Sequence, residues 1–162
     1  MSKLHYLIIG LLLWSNLFAS GLSCKFEEVY QNGELQIGHL LIEEDKLRYE
    51  YFDPKLFTII FVNDNLVVVE NFETNKFQLI EKENSIIPEL INIYKDFPDV
   101  MDNYKLNSLN ISIEKKINKL FIKRLAIKSQ NLNLSIFFFD CKKMKLDKLY
   151  FEFNPLKKYV PD

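Results

Sequence analysis

The sequence predicts a mainly β protein whose antiparallel sheet wraps around an apolar interior. The chain contains 14 Phe and 8 Tyr but only 4 Gly, and aromatic residues favour strands. Short apolar runs recur along the chain, separated by turn residues such as Asn32-Gly33 and Asp53-Pro54. Short runs bounded by turn signals are typical of a meander of strands with short connections.

Two of these runs, residues 56–62 and 66–69, do not alternate between apolar and polar side chains. A half-buried antiparallel strand should alternate, because successive side chains point to opposite faces. Both faces of these strands must therefore be covered, one by core and the other by a lid or an apolar ligand.

We predict that one face of these two adjacent strands lines a ligand cavity. The predicted cavity residues are Phe57, Ile59, Phe61, Val67 and Val69. By parity, the opposite face carries Leu56, Ile60, Leu66 and Val68. Either set could line the cavity, and we favour the first because it is bulkier and more aromatic.

The N-terminus has the features of a secretory signal peptide over residues 1–21. Lys3 precedes an apolar run at residues 6–14, and Ala19-Ser20-Gly21 offers small residues for cleavage. A membrane anchor is less favoured, because a span needs about 20 apolar residues and Ser15 and Asn16 interrupt this run. Gly21-Leu22-Ser23-Cys24 also loosely resembles a lipobox, which would place a lipid on Cys24.

Residues 22–162 are predicted to form one domain, large enough to bury its own core. The chain carries 21 basic and 22 acidic residues, without a basic stripe interleaved with aromatic residues. A near-neutral chain lacks the counterion release that drives phosphate binding, so a nucleic-acid partner is not expected.

Two cysteines remain after the predicted signal, Cys24 and Cys141. In an oxidising compartment an even count favours a disulfide, which would fasten the first strand to a late one. The alternative is two separate buried thiols.

The first hairpin is predicted at residues 24–31 and 34–43, on either side of Asn32-Gly33. Asn-Gly between strands is typical of a type I′ turn, in which both residues have positive φ. Further strands are predicted at residues 46–52, 55–62, 66–71, 76–82, 109–115, 120–128, 132–139 and 146–153.

A single amphipathic helix interrupts the strands. Its apolar residues recur at helical spacing: Ile87, Leu90, Ile91, Tyr94 and Phe97. Ser85 can cap this helix, Pro88 suits its first turn, and Pro98 stops it. The apolar stripe is typical of core packing, and the helix is the predicted lid.

No catalytic or metal-binding motif stands out, so we expect a protein that is not an enzyme. After the signal the only histidine is His39, which argues against a paired-histidine metal site and is expected to be structural or exposed. The acidic turn Glu43-Glu44-Asp45 is typical of a solvated loop, and no metal or cofactor is predicted.

Several segments together resemble the periplasmic outer-membrane lipoprotein carrier family, LolA. Residues 36–42, QIGHLLI, and 46–51, KLRYEY, followed by Pro54, are similar to the family's Q-x-G-x-L-x-I, K-F-R-W-E-Y and Pro signature. Residues 87–91, IPELI, resemble its lid helix, and 151–155, FEFNP, its closing F-x-F-x-P-P. These segments occur in the family's order and span most of the predicted domain.

The resemblance implies a curved antiparallel sheet forming an incomplete barrel, closed by helices over a cavity for lipoprotein acyl chains. Arg48 matches the arginine of K-F-R-W-E-Y, whereas the family's gating arginine lies in a K-R-P turn. This chain has Glu43-Glu44-Asp45 there, so the gating role cannot be assigned. The family's long helix before the first strand is also missing.

The sequence therefore predicts a monomeric periplasmic carrier that binds the acyl chains of lipoproteins or other lipids. The resemblance implies an inner-membrane release complex and an outer-membrane receptor as partners. The alternative is an outer-membrane-anchored receptor or structural envelope protein of the same fold, lipidated on Cys24.

Overall fold

A computed structural model describes residues 21–53, 55–71, 76–82 and 85–152. Ten strands form one antiparallel sheet in the order β6-β5-β4-β3-β2-β1-β10-β9-β8-β7, and this sheet is not closed. Within the described ranges one α-helix accompanies the sheet, so the predicted fold class, mainly β with an open half-barrel and a helix, is confirmed. The predicted signal peptide up to Ser20 and the end of the family's closing motif lie outside the described residues.

The sheet consists of two meanders. The first contains β1 Gly21–Tyr30, β2 Leu35–Glu43, β3 Lys46–Tyr51, β4 Thr58–Val62, β5 Asn65–Asn71 and β6 Lys76–Ile80. The second contains β7 Asn103–Leu106, β8 Leu109–Glu114, β9 Arg124–Lys128 and β10 Asn133–Met144. The helix α1, Ile87–Asp96, connects them. It follows one outer strand, β6, and precedes the other, β7, so the connection runs from one edge of the sheet to the other.

The pairing of β1 with β10 joins the two meanders. Their register shifts between Ser23 and Lys25, so that Asp140 and Cys141 both lie opposite Cys24. Such a bulge needs one residue outside the β region, and Asp140 has φ 51°. Cys24 and Cys141 form a disulfide at this bulge, with an S–S distance of 2.06 Å.

The helix packs on one face of the sheet, which we call the interior face; the opposite face is the exterior face. Ile87, Leu90, Ile91 and Ile93 are buried in the core formed with this face. Ser85 Oγ accepts a hydrogen bond from the Ile87 N–H at 3.2 Å, although the cap position itself is Ile86. The helix ends at Asp96, one residue before the predicted end, because the residue preceding a proline avoids helical backbone.

The turn between β1 and β2 differs from the predicted type I′ turn. The Gly33 N–H bonds to the Tyr30 carbonyl and the Tyr30 N–H to the Glu34 carbonyl, which closes a three-residue loop. Only Gly33 has positive φ, at 83°. This is the pattern of a type I turn followed by a left-handed glycine. Asn32 instead accepts a hydrogen bond from the Glu34 N–H through Oδ1, at 3.0 Å.

In the second half of the chain two strand predictions require correction, and one strand was missed. The prediction for residues 146–153 is wrong, since Lys148–Phe151 is a 3-10 helix capped by the Asp147 side chain. This segment follows β10 directly, and neither β10 nor β1 can accept it as a further neighbour, because each already pairs with a strand on both sides. The strand predicted at 120–128 begins only at Arg124, and the strand β7 was not predicted.

The predicted cavity residues do not share a face. A two-residue turn pairs Val62 with Asn65, so Ile60 lies opposite Val67 and Ile59 opposite Val68. Cross-strand partners point to the same face. Ile59 and Phe61 therefore point into the interior core, whereas Val67 and Val69 form a separate exterior cluster with Ile60. Phe57 lies before β4 and is 40% exposed.

Among the described residues, we find no helix with the length and apolar character needed to span a membrane.

The disulfide should stabilise the fold strongly, because it links residues separated by 117 positions. In the chain-entropy model a loop of about that length corresponds to about 4–5 kcal/mol. We expect Cys141→Ala to lower the free energy of unfolding by an amount of this order in denaturant titrations. A reductant should destabilise the native chain but not this variant. Equal sensitivity of both proteins to the reductant would contradict the bridge.

Candidate ligand-binding site

The interior face is the main apolar surface of the molecule. Alternating residues of β1, β2 and β3 point into it, and α1 covers it. The strands contribute Leu22, Phe26, Leu40, Ile42, Leu47 and Tyr49, all at most 2% exposed. A sheet that curves around one amphipathic helix can bind an apolar ligand only if the helix moves or if the ligand enters beside it.

A cleft of about 660 Å³ lies beside the helix. Phe61 from β4, Ile91 from α1 and Leu106 from β7 contribute its apolar lining, and the two hairpin turns β2–β3 and β4–β5 contribute polar side chains. Ligand pockets typically have volumes of about 300–1,000 Å³ and combine an apolar lining with a few polar groups. The cleft thus has the size of a ligand site, although 11 of its 15 lining residues are polar or charged and its apolar part is confined to Phe61, Pro88, Ile91 and Leu106.

Polar contacts fasten the helix at both sides. Lys95 forms an ion pair with Asp45 in the β2–β3 turn, and Glu89 accepts a hydrogen bond from the Tyr104 hydroxyl. The ion pair is exposed, and such pairs contribute about 0–1 kcal/mol. By comparison, burial of each of the leucine and isoleucine side chains on the apolar face of α1 contributes about 1.5–3 kcal/mol. The apolar face, rather than the ion pair, therefore holds the helix in place.

A second polar feature is the buried carboxylate of Glu28 on the interior face. Three phenol groups donate hydrogen bonds to it: Tyr49 to Oε1 at 2.7 Å, and Tyr30 and Tyr51 to Oε2 at 2.6 and 3.1 Å. The ring of Phe26 stacks on that of Tyr49 with centroids 3.9 Å apart. We call Glu28 and its three tyrosines the tyrosine–glutamate cluster. It satisfies a buried charge by hydrogen bonding.

The cluster keeps its tyrosines neutral to high pH. Burial raises the pKa of Tyr49 and Tyr51 well above the usual value near 10, and the negative charge of Glu28 raises both further. The pKa of Tyr30 is raised mainly by burial and by its hydrogen bond to Glu28. The phenols therefore act as hydrogen-bond donors at physiological pH and not as bases.

Arg48, which matches the family motif, lies on the exterior face and is 1% exposed. Its Nε donates to Glu50 Oε2 at 2.7 Å, and its Nη1 donates to the Tyr150 carbonyl at 3.2 Å. Residues two apart on a strand share a face, so the Arg-x-Glu spacing of the motif produces this ion pair directly. Arg48 thus fastens the 3-10 helix to the outside of the sheet.

His39 lies on the exterior face of β2 with its ring edge-on to Phe52, the centroids 4.7 Å apart. Burial lowers the pKa of His39, and the charges of Lys25 and Lys142 lower it further. Its Nδ1 has no hydrogen-bond partner in the described structure. Nowhere in the described ranges do three His, Cys, Asp or Glu side chains converge as metal ligands would.

The structure brings together only part of the predicted site. Ile91 and Phe61 meet in the cleft, Leu90 is fully buried, and Tyr94 and Phe97 are partly buried against the same core. Sequence analysis missed Ile93, Leu106 and the tyrosine–glutamate cluster. Glu28 could have been found, because it shares the period-2 face of Cys24 and Phe26, where a carboxylate is out of place.

A scan against protein-family models finds no family that matches the chain, and a search of the curated proteins finds no significant match.

Loss of the Glu28 carboxylate should destabilise the fold. Glu28→Ala leaves the buried Tyr49 hydroxyl without its acceptor, which costs about 1–3 kcal/mol of unfolding free energy. Glu27→Ala on the same strand points to the exterior face and should change stability by less than about 0.5 kcal/mol. Urea titrations of the two variants provide the measurement, and equal losses would contradict the assigned role of the cluster.

Alkaline pH should unfold the protein through the same cluster. A tyrosine whose pKa is higher in the folded state contributes stability that is intact below its unfolded value, about pH 10. That stability declines as the pH rises above it. Near-ultraviolet absorbance should show three tyrosines that ionise only as the far-ultraviolet circular dichroism is lost. Ionisation of all tyrosines in the folded protein would contradict this expectation.

Proposed function

We propose that the protein is a non-enzymatic periplasmic carrier that binds the acyl chains of lipoproteins or other lipids. The observation that carries this proposal is an open antiparallel sheet whose apolar interior is covered by one amphipathic helix with a cleft beside it. The resemblance of several segments to the LolA family points to the same function.

The energetics of the lid fit reversible binding. The four buried side chains of α1 contribute about 6–12 kcal/mol by burial, so the lid stays closed without ligand. Each CH₂ group of an acyl chain contributes about 0.8 kcal/mol when it leaves water. A ligand that buries about 8–15 CH₂ groups, the length of one acyl chain, therefore offsets displacement of the helix face, and no catalytic step is needed.

The alternative is an outer-membrane receptor or envelope protein lipidated on Cys24. A lipid on Cys24 requires a thioether at Sγ, whereas here this sulfur is bonded to Cys141. The disulfide therefore favours the carrier over the lipidated receptor. Mass spectrometry of the mature N-terminus separates the two functions.

Blocking the cleft should abolish ligand binding. Leu90 is fully buried, so a polar residue there would disturb the fold itself. Leu106→Trp instead fills the cleft from its edge, and we expect at least a tenfold weaker affinity for a fluorescent triacyl lipopeptide. Met101→Trp is the matched control, because Met101 is 66% exposed and lies outside the cleft.

The wild-type protein should transfer the lipopeptide from detergent micelles into a soluble complex and return it chemically intact. Size-exclusion chromatography and mass spectrometry of the recovered ligand measure both properties. Hydrolysed acyl chains would contradict a carrier function, and unchanged binding by a folded Leu106→Trp variant would place the ligand elsewhere.

A further inference from the structure

The loop between β8 and β9, residues 115–123, has an unusual composition for a surface turn. Its sequence, KKINKLFIK, contains four lysines and no acidic residue. The Lys119 N–H bonds to the Lys116 carbonyl, so Ile117 and Asn118 form the corner of a turn. Asn118 suits its left-handed φ of 62°. Turn geometry does not explain the isoleucine beside it.

The tip of this loop exposes apolar surface. Ile117 is 88% exposed, the highest value among the large apolar side chains of the described ranges. Leu120, three residues further along the loop, is 40% exposed. Phe121 and Ile122 are buried in the core and anchor the loop. The fold thus exposes an isoleucine to water at the tip of a turn whose following residues Phe121 and Ile122 are buried in the core.

Two lysines flank the exposed isoleucine. The two outer lysines of the loop form ion pairs, Lys115 with Asp102 at 2.7 Å and Lys123 with Glu114 at 2.6 Å. The two inner lysines, which flank Ile117, form none within the described ranges. Lys116 and Lys119 are exposed, and neither forms an ion pair with any residue that the structure describes. Two amino groups with uncompensated charge therefore lie on either side of Ile117.

A groove continues the apolar surface behind the tip. β10 has twelve residues and β9 only five. The second half of β10 pairs with β1 on one side, whereas on its other side it lies beside the loop instead of β9. The groove between them has a volume of about 530 Å³, and Phe137, Phe138 and Phe139 contribute to its lining. Phe139 is 43% exposed.

We infer that this loop docks the protein on the surface of an anionic phospholipid bilayer, with Ile117 and Leu120 in the interfacial region. Apolar side chains bury themselves at the boundary of headgroups and acyl chains, while lysines extend toward the phosphates. Anionic lipids attract basic residues near the surface. A projecting apolar tip suits a deformable bilayer better than a rigid protein face. This inference goes beyond the proposed carrier function and does not depend on it.

Tryptophan fluorescence can test the inference. The chain contains a single tryptophan, Trp14, so the full chain with Trp14→Phe and Ile117→Trp carries one probe at the tip. Vesicles of phosphatidylcholine with phosphatidylglycerol should shift its emission to shorter wavelength. Leu79→Trp in the same background is the control, because Leu79 is 70% exposed at the far edge of the sheet and should show no shift.

Charge variants test the second part of the inference. Lys116→Gln with Lys119→Gln should weaken vesicle binding about 30-fold, from the typical contribution of two basic residues at such a surface. Lys105→Gln with Lys128→Gln changes the net charge equally at two other exposed positions and should have little effect. Comparison within one full-length background cancels any contribution of the apolar N-terminus.

Three outcomes would overturn the inference: no emission shift at position 117, an equal shift at position 79, or equal binding to vesicles of phosphatidylcholine alone. If the tip variants instead lost binding to an acidic protein and not to vesicles, the surface would belong to a protein partner. Loss of lipopeptide binding alone would affect only the carrier proposal, since it involves different residues.

Discussion

The antiparallel pairing of β1 with β10 is the constraint on which the rest of the structure depends. If the meanders were separate, the first would expose an edge at β1 and the second an edge at β10. Exposed sheet edges favour association with other chains. Joining the meanders at β1 and β10 makes one curved sheet and leaves only β6 and β7 at its edges. Because α1 connects these two strands, the helix must cross the open side of the sheet. Its position over the interior follows from chain connectivity as much as from its apolar stripe.

The two faces of the sheet stabilise the fold by different means. The interior face relies on apolar burial, interrupted by the tyrosine–glutamate cluster. The exterior face carries the buried ion pair of Arg48 with Glu50 under the 3-10 helix. A buried ion pair contributes little net stability, because the loss of hydration offsets the attraction, but it strongly disfavours alternative packing that separates the two charges. It can therefore fix the position of this 3-10 helix on the exterior face, through the hydrogen bond from Arg48 to the Tyr150 carbonyl.

Much of the fold could be predicted from local patterns, because period-2 and period-3.6 spacing depend only on neighbouring residues. The faces of β4 and β5 could not, since their relation depends on the exact length of the turn at Asn63-Asp64. β7 was missed because its four residues are too few for a periodic signal. The tyrosine–glutamate cluster unites residues of β1 and β3, which are not neighbours in the sheet. No local pattern contains that information, and the same holds for the contribution of Leu106 to the cleft.

The position of β1 has a consequence for how the chain folds. It is the first strand in the described part of the chain, yet one of its two partners is the last strand described there, more than a hundred residues later. Structures dominated by such distant contacts fold slowly, because loop closure precedes the gain from pairing. The edge of β1 that later meets β10 therefore stays open until nearly the whole domain is available to fold. During that interval the edge can associate with other chains, and formation of the disulfide between Cys24 and Cys141 then links the two strands covalently once they have paired.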